Sequence, residues 1–222
     1  MDDPSVKPTT PGPRRPYRSP RREAAALQTR RAIRDAAEAL FLRDGYARTT
    51  MKAIAAQAGV SEKTMYLTYA SKAKLLRHVI EVAVRGDEAP ATLAERSDWR
   101  AIVRAPPEEV FAHFAALNAA LMARTAPIIA LAEAVAETEA ELAEDRDRAH
   151  ATARADLRAL ASELKQRGVL ATDISEQDAA DTMYALAADV TVYLRLSRDC
   201  GWTDTRYAEL IARTLQATLG VH

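Results

Sequence analysis

The sequence predicts an all-α fold, and three observations predict it. Beyond residue 22 glycine and proline become rare, alanine dominates while β-branched runs stay short, and apolar residues recur at spacings of three and four. The chain has 222 residues, 48% of them hydrophobic, which suits one domain of ordinary size or one plus a small one.

The first twenty residues hold Pro4, Pro8, Pro11, Pro13, Pro16 and Pro20, interleaved with Arg14, Arg15 and Arg18, and Arg21 and Arg22 follow. No helix interior or central strand survives that proline density, so residues 1–22 are expected to form a disordered basic arm. A first helix is predicted from Glu23 to Arg43, with Ile33, Ala36, Ala37, Leu40 and Phe41 on one face and Gly45 as its stop. Thr49 and Thr50 offer caps for a short helix, Met51 to Gln57, ending at Gly59. Ser61 caps Glu62 to Tyr69, and Ser71 caps Lys72 to Val84, which Gly86 ends.

A polar link containing Pro90 leads to a short helix from Asp98 to Arg104. Pro106 and Pro107 suit the first turn of a helix carrying Val110, Phe114, Leu117 and Leu121 to Arg124, and Thr125-Ala126-Pro127 reads as a restart. Glu137 to Arg167 is a long, charged, largely exposed helix with a break near Glu139, and Gly168 ends it. Ser175 opens a helix to Arg198, and Thr203 opens a last one to Leu219. That makes about nine helices and no internal repeat.

Composition narrows the function. Lone Cys200 forms no intrachain disulfide, and the N-terminus lacks the apolar core of a signal peptide. A run of about 18 uninterrupted apolar residues is missing as well, so a cytoplasmic protein off the membrane is expected. The 31 basic and 31 acidic residues cancel in sum but not in distribution: residues 1–85 hold 17 basic and 8 acidic, the rest 14 and 23. A basic head on an acidic body suits a polyanion-binding module attached to something else. His78, His113, His150 and His222 are scattered without metal-ligand spacing, and no phosphate-binding glycine loop or nucleophile elbow occurs. No metal, cofactor or catalytic residue is therefore expected.

Two short helices joined across Ala58-Gly59-Val60, after a longer helix, are the sequence form of a helix-turn-helix unit. Ile54, Ala55, Val60 and Met65 can turn inward against Leu40 and Phe41. Glu62, Lys63, Thr64, Tyr66 and Thr68 are left on the outside of the second, reading helix.

At these residues the chain resembles the TetR family of bacterial transcriptional regulators. The resemblance rests on Thr49 to Ser61, then Thr64-Met65-Tyr66, then Tyr69-Ala70-Ser71-Lys72 with Leu75-Leu76. It covers about a quarter of the chain, with weaker similarity at Gly168 to Gln177 and at Gly201 to Tyr207. The family pattern implies a DNA-binding domain over 23–85 and a helical ligand-binding and dimerisation domain over 86–222. It implies phosphate contacts at Thr50, Tyr69 and Lys72, and a capping Ser61 able to donate to a phosphate. Lys63, Thr64 and Tyr66 fall where base edges or the nearby backbone are reached, and Thr68 is the last outward position. The pairing chemistry is consistent: lysine reaches guanine O6 or N7, a threonine methyl packs on thymine, and a tyrosine hydroxyl bonds phosphate. For Tyr69, packing between helices stands beside phosphate contact. Lys72 in a helix's first turn opposes the macrodipole, which calls for a further partner. Lys63 stands where many members have glycine, and Leu67-Thr68 replaces a frequent polar or aromatic pair.

The resemblance also implies a homodimer on a palindromic operator, paired through the last two helices, for which Met183, Leu186, Val190, Leu194, Tyr207, Leu210 and Ile211 are the candidates. It implies a small-molecule effector in the middle helices, where Phe111, His113, Phe114, Asn118, Met122, Ile129, Met183 and Tyr184 are the candidates. His113 and Asn118 read more readily as ordinary core or boundary residues than as ligand contacts. The function expected is a ligand-responsive regulator, a repressor released from double-stranded operator DNA by its effector. A helical adaptor without sequence-specific DNA binding is the alternative.

Overall fold

The computed structural model describes residues 20–86 and 97–221. The predicted arm, up to residue 19, and the link containing Pro90 lie outside the described residues. Among the described residues the architecture is helical throughout, apart from an isolated antiparallel bridge between Leu170 and Gly220.

Four helices make the head: α1 (Pro20–Asp44), α2 (Met51–Gln57), α3 (Glu62–Thr68) and α4 (Lys72–Arg85). α1 begins three residues earlier than expected, so Arg21 and Arg22 are helical. Its inward face, Ile33, Ala37, Leu40 and Phe41, closes on Ile54, Ala55, Met65, Leu75 and Leu76, all buried. Each later head helix starts on a hydroxyl that accepts from the third backbone N–H beyond it: Thr50 from Ala53, Ser61 from Thr64 and Ser71 from Lys74, all at 3.1 Å. Such caps are worth about 1 kcal/mol each. The α2–α3 turn needs Gly59, whose φ of 68° is the left-handed conformation that L side chains resist.

The body comprises α5 (Ser97–Arg104), α6 (Val110–Ala136), α7 (Ala140–Gln166), α8 (Glu176–Ala187), α9 (Val190–Leu194) and α10 (Asp204–Leu219). A 3-10 turn (Pro107–Glu109) precedes α6, and a π turn (Arg195–Asp199) follows α9. α6 runs through the middle and touches α1, α4, α5, α7, α9 and α10. The stretch Pro107–Ala136 is long and apolar enough to cross a membrane by length and composition, although Glu108, Glu109, Arg124 and Glu133 interrupt it. Its apolarity is that of a central helix, with Val110, Phe111, Phe114, Ala115, Ala119, Met122, Ala126 and Ile128 all buried.

Two expected boundaries differ. α6 continues through Pro127 instead of restarting there, because Thr125, Ala126 and Ile128 are locked in the core at 0–1% exposure. Tertiary packing outweighs the roughly 3 kcal/mol that an interior proline costs a helix. Conversely, the single helix expected from Ser175 to Arg198 breaks after Ala187. There Asp189 recaps the chain, accepting from the N–H groups of Thr191 and Val192. The core of the head also draws in Ile128, Ala136 and Leu142 from the body, so head and body share buried surface.

Candidate nucleic-acid interface and ligand cavity

α3 is anchored by Met65, which is fully buried, and by the ring of Tyr69 at its end. Anchoring those positions turns the rest of the short helix outward. Lys63 is exposed, Tyr66 is 55% exposed and Leu67 is 78% exposed. Leu67 was not among the expected contacts, although a bare leucine offers an apolar surface of the kind that packs on a thymine methyl. Glu62 sits 3.7 Å from Lys52 across the turn, a solvated pair that partly offsets its charge near a polyanion.

The threonines and the serine of the unit are engaged within the protein. Ser61 Oγ accepts from Thr64 N and shares a 2.9 Å hydrogen bond with Thr64 Oγ1, and Thr68 Oγ1 donates to Thr64 O. Thr49 is buried and donates to Leu40 O and Gly45 O at 3.2 and 2.8 Å, leaving Thr50 as the sole cap of α2.

Tyr69 and Lys72 sit inside the unit. Tyr69 is 9% exposed with its ring 5.6 Å from that of His78. Lys72 Nζ donates to Tyr46 O and Thr49 O at 2.8 and 3.1 Å and lies 4.1 Å from the centre of the Tyr46 ring. This is the partner that a lysine opposing its own macrodipole called for: it ties the start of α4 to the turn before α2. Burial lowers the Lys72 pKa, against a smaller upward pull from Glu139. Burial also pushes the Tyr46 hydroxyl up to about 12. With two carbonyls on its ammonium, Lys72 acts as a brace within the unit in this structure.

In the body, α4, α5, α6, α7 and α8 enclose a cavity of about 720 Å³. Trp99, Phe114, Leu117, Leu121, Met122 and Ile129 supply apolar wall, with Asn118 and Tyr184 beside them. Five of the eight expected ligand residues therefore border it: Phe114, Asn118, Met122, Ile129 and Tyr184. Phe111 and Met183 are spent in the core behind it. His113 points outward, about half exposed, 3.6 Å from Glu109 one turn away, and does not border the cavity. Asn118 also holds the chain together: Nδ2 donates to Ala187 O at 2.7 Å, where α8 ends, and Oδ1 accepts from the buried Tyr207 hydroxyl at 3.2 Å.

The cavity wall also carries charge that the sequence reading left on solvated helix faces. From α7 come Asp145, Arg146, Arg148, His150 and Asp156, with Glu133 from α6 and Arg77, Glu81 and Arg85 from α4. The signal was present: Asp145, Ala149, Thr152 and Asp156 follow one another at four, three and four residues, a single helical stripe. Arg77 Nε donates to Asp145 Oδ2 at 2.6 Å, so the cavity wall contains the ion pair that joins α4 to α7.

Of the expected dimer residues, Met183, Val190, Tyr207 and Ile211 are buried within their own chain at 0–2% exposure. Leu186, Leu194 and Leu210 keep exposed surface. Packing of α8, α9 and α10 within the body buries the first group in the core of the subunit.

Comparisons with known proteins agree with this geometry. Residues 33–79 match the model of the bacterial regulatory proteins, tetR family. A solved structure from Mesorhizobium loti assigned to the TetR-family transcriptional regulators is 23% identical, with a TM-score of 0.67 over 88% of this chain and 98% of its own. NalD, the secondary repressor of the MexAB-OprM multidrug efflux pump in Pseudomonas aeruginosa, is 20% identical, with a TM-score of 0.65 over 89% and 98%. AibR, solved in complex with isovaleryl coenzyme A and operator DNA, is 21% identical, with a TM-score of 0.60 over 84% and 97%. Among curated proteins, none matches the sequence significantly.

Proposed function

We propose that this chain, whose residues 33–79 match the model of the bacterial regulatory proteins, tetR family, is a DNA-binding transcriptional regulator of that family and a cytoplasmic homodimeric repressor, released from a palindromic operator by a small molecule held in the body cavity. The observation that carries the reading is one continuous piece of structure. Outward residues Lys63, Tyr66 and Leu67 stand on a head whose α4 forms a wall of the cavity and is pinned to α7 by Arg77 and Asp145.

Two heads must sit about one helical turn apart, or a multiple of it, to enter successive major grooves. A ligand that favours a different spacing of α4 relative to α7 lowers affinity for DNA by its differential affinity for the two arrangements. Leu186, Leu194 and Leu210 are the apolar residues left to face a second copy, and a repressor needs no contact beyond occupancy of the promoter. NalD is a repressor and AibR was solved with both a ligand and operator DNA, which supports the reading by likeness of fold.

Selection from random duplexes with the purified chain tests it. An enriched inverted repeat, bound by two chains, is the expected outcome. Recovery of unenriched sequence, with binding by a single chain, overturns the proposal in favour of an adaptor.

A further inference from the structure

We infer that the body cavity is built for a lipophilic cation, an organic ammonium or amidinium on an apolar frame. The inference rests on the proposal that the cavity receives a ligand, and adds its chemical class.

The charges on the wall are unequally satisfied. Every arginine there has an acid within ion-pair distance. Arg77 has Asp145 at 2.6 Å and Glu141 at 3.4 Å, Arg85 has Glu81 at 3.7 Å, Arg146 has Glu137 and Asp147, and Arg148 has Asp145 and Glu144. Among the described residues, two acids have no such counterpart. Glu133 meets only an imidazole, His150 Nε2 at 3.8 Å, and Asp156 has neither an ion pair nor a hydrogen bond on its carboxyl. Both border the same chamber, one from α6 and one from α7.

Removing a carboxylate from water is costly unless a counter-charge arrives, so an apolar chamber with two uncompensated carboxylates selects for a ligand that brings a positive charge. The rest of the wall suits such a guest. Trp99, Phe114 and Tyr184 line it with aromatic rings, a side-chain class whose faces attract cations through their quadrupoles. Arg154 already lies 5.8 Å from the centre of the Tyr184 ring.

Burial raises the carboxyl pKa of both acids above the ordinary value. For Glu133 the neighbouring Asp189 pushes the same way, while His150 and Arg146 oppose it. The opposing feature on the wall is Arg85, whose Nε is buried without an acceptor among the described residues. With Glu81 beside its guanidinium, it reads as a donor to a neutral acceptor atom on the guest and not as the seat of an anion.

Calorimetric titration of the full chain with decyltrimethylammonium, decanol and decanoate, each below its micelle concentration at neutral pH, separates the classes. The ammonium is expected to bind at least about tenfold tighter than the alcohol. Asp156→Asn and Glu133→Gln should each remove most of that preference while leaving the alcohol unchanged, and Arg85→Gln should preserve it. Tightest binding by decanoate, equal binding of all three, no binding by any, or an ammonium affinity unmoved in both acid variants overturns the inference. Release of a selected operator is read separately: an ammonium that binds with this preference yet leaves DNA bound contradicts the effector role and not the ligand class.

Discussion

Lys72 shows how a residue matched by pattern can take its role from its neighbours. Its ammonium lies on two carbonyl oxygens of the turn before α2 and over the ring of Tyr46, so its first effect is to hold the reading unit in shape. Lys72→Met should lower head stability by about 1–3 kcal/mol, read as a fall in the thermal midpoint. DNA affinity should recover on cooling to where the head is fully folded, which loss of a phosphate contact would not allow. Asp156 supplies a second test at this scale. Its folded-state pKa is raised by burial, so the stability linked to it is present below the ordinary carboxylate range and lost as pH rises through the folded value. Asp156→Asn should therefore raise the thermal midpoint at pH 7, and the difference from the wild type should vanish below about pH 3, where the acid is protonated in both states.

At the scale of elements, the junction of α8 and α9 depends on one side chain from α6. Asn118 satisfies the carbonyl of Ala187 and the hydroxyl of Tyr207, both deep in the body. Asn118→Ala strands both groups and should cost about 2–4 kcal/mol by chemical denaturation, with hydrogen exchange rising first at residues 187–193. The head helices were legible because their limits are written in local chemistry: Thr50, Ser61 and Ser71 cap them, and Gly45, Gly59 and Gly86 end α1, α2 and α4. The break after Ala187 and the continuity through Pro127 were not, since each is decided by partners 60 or more residues away or by the surrounding core. The cavity was half legible for a related reason. The apolar positions of α6 announce an inward face, whereas the charged face of α7 reads as solvated until α4 and α6 close over it.

The whole molecule couples its two halves through a few polar clamps on shared apolar contacts. Arg124 on α6 donates from Nε and Nη2 to Ala83 O and Val84 O, capping the C-terminal turn of α4, and Gly86 closes that turn with a φ of 80°. Arg124→Ala should raise hydrogen exchange in the last turn of α4 while leaving α3 protected, because the anchors of α3 lie within the head. The uneven charge of the sequence falls on these same halves, a basic head on an acidic body, but only the fold shows which acids face the cavity. The claim on which the rest depends is that α3 reads DNA through its outward residues. Anisotropy of a labelled, selected operator should show Lys63→Ala and Tyr66→Ala each weakening binding by about tenfold or more at fixed salt, with thermal midpoints unchanged. Equal affinity for wild type and both variants would contradict it.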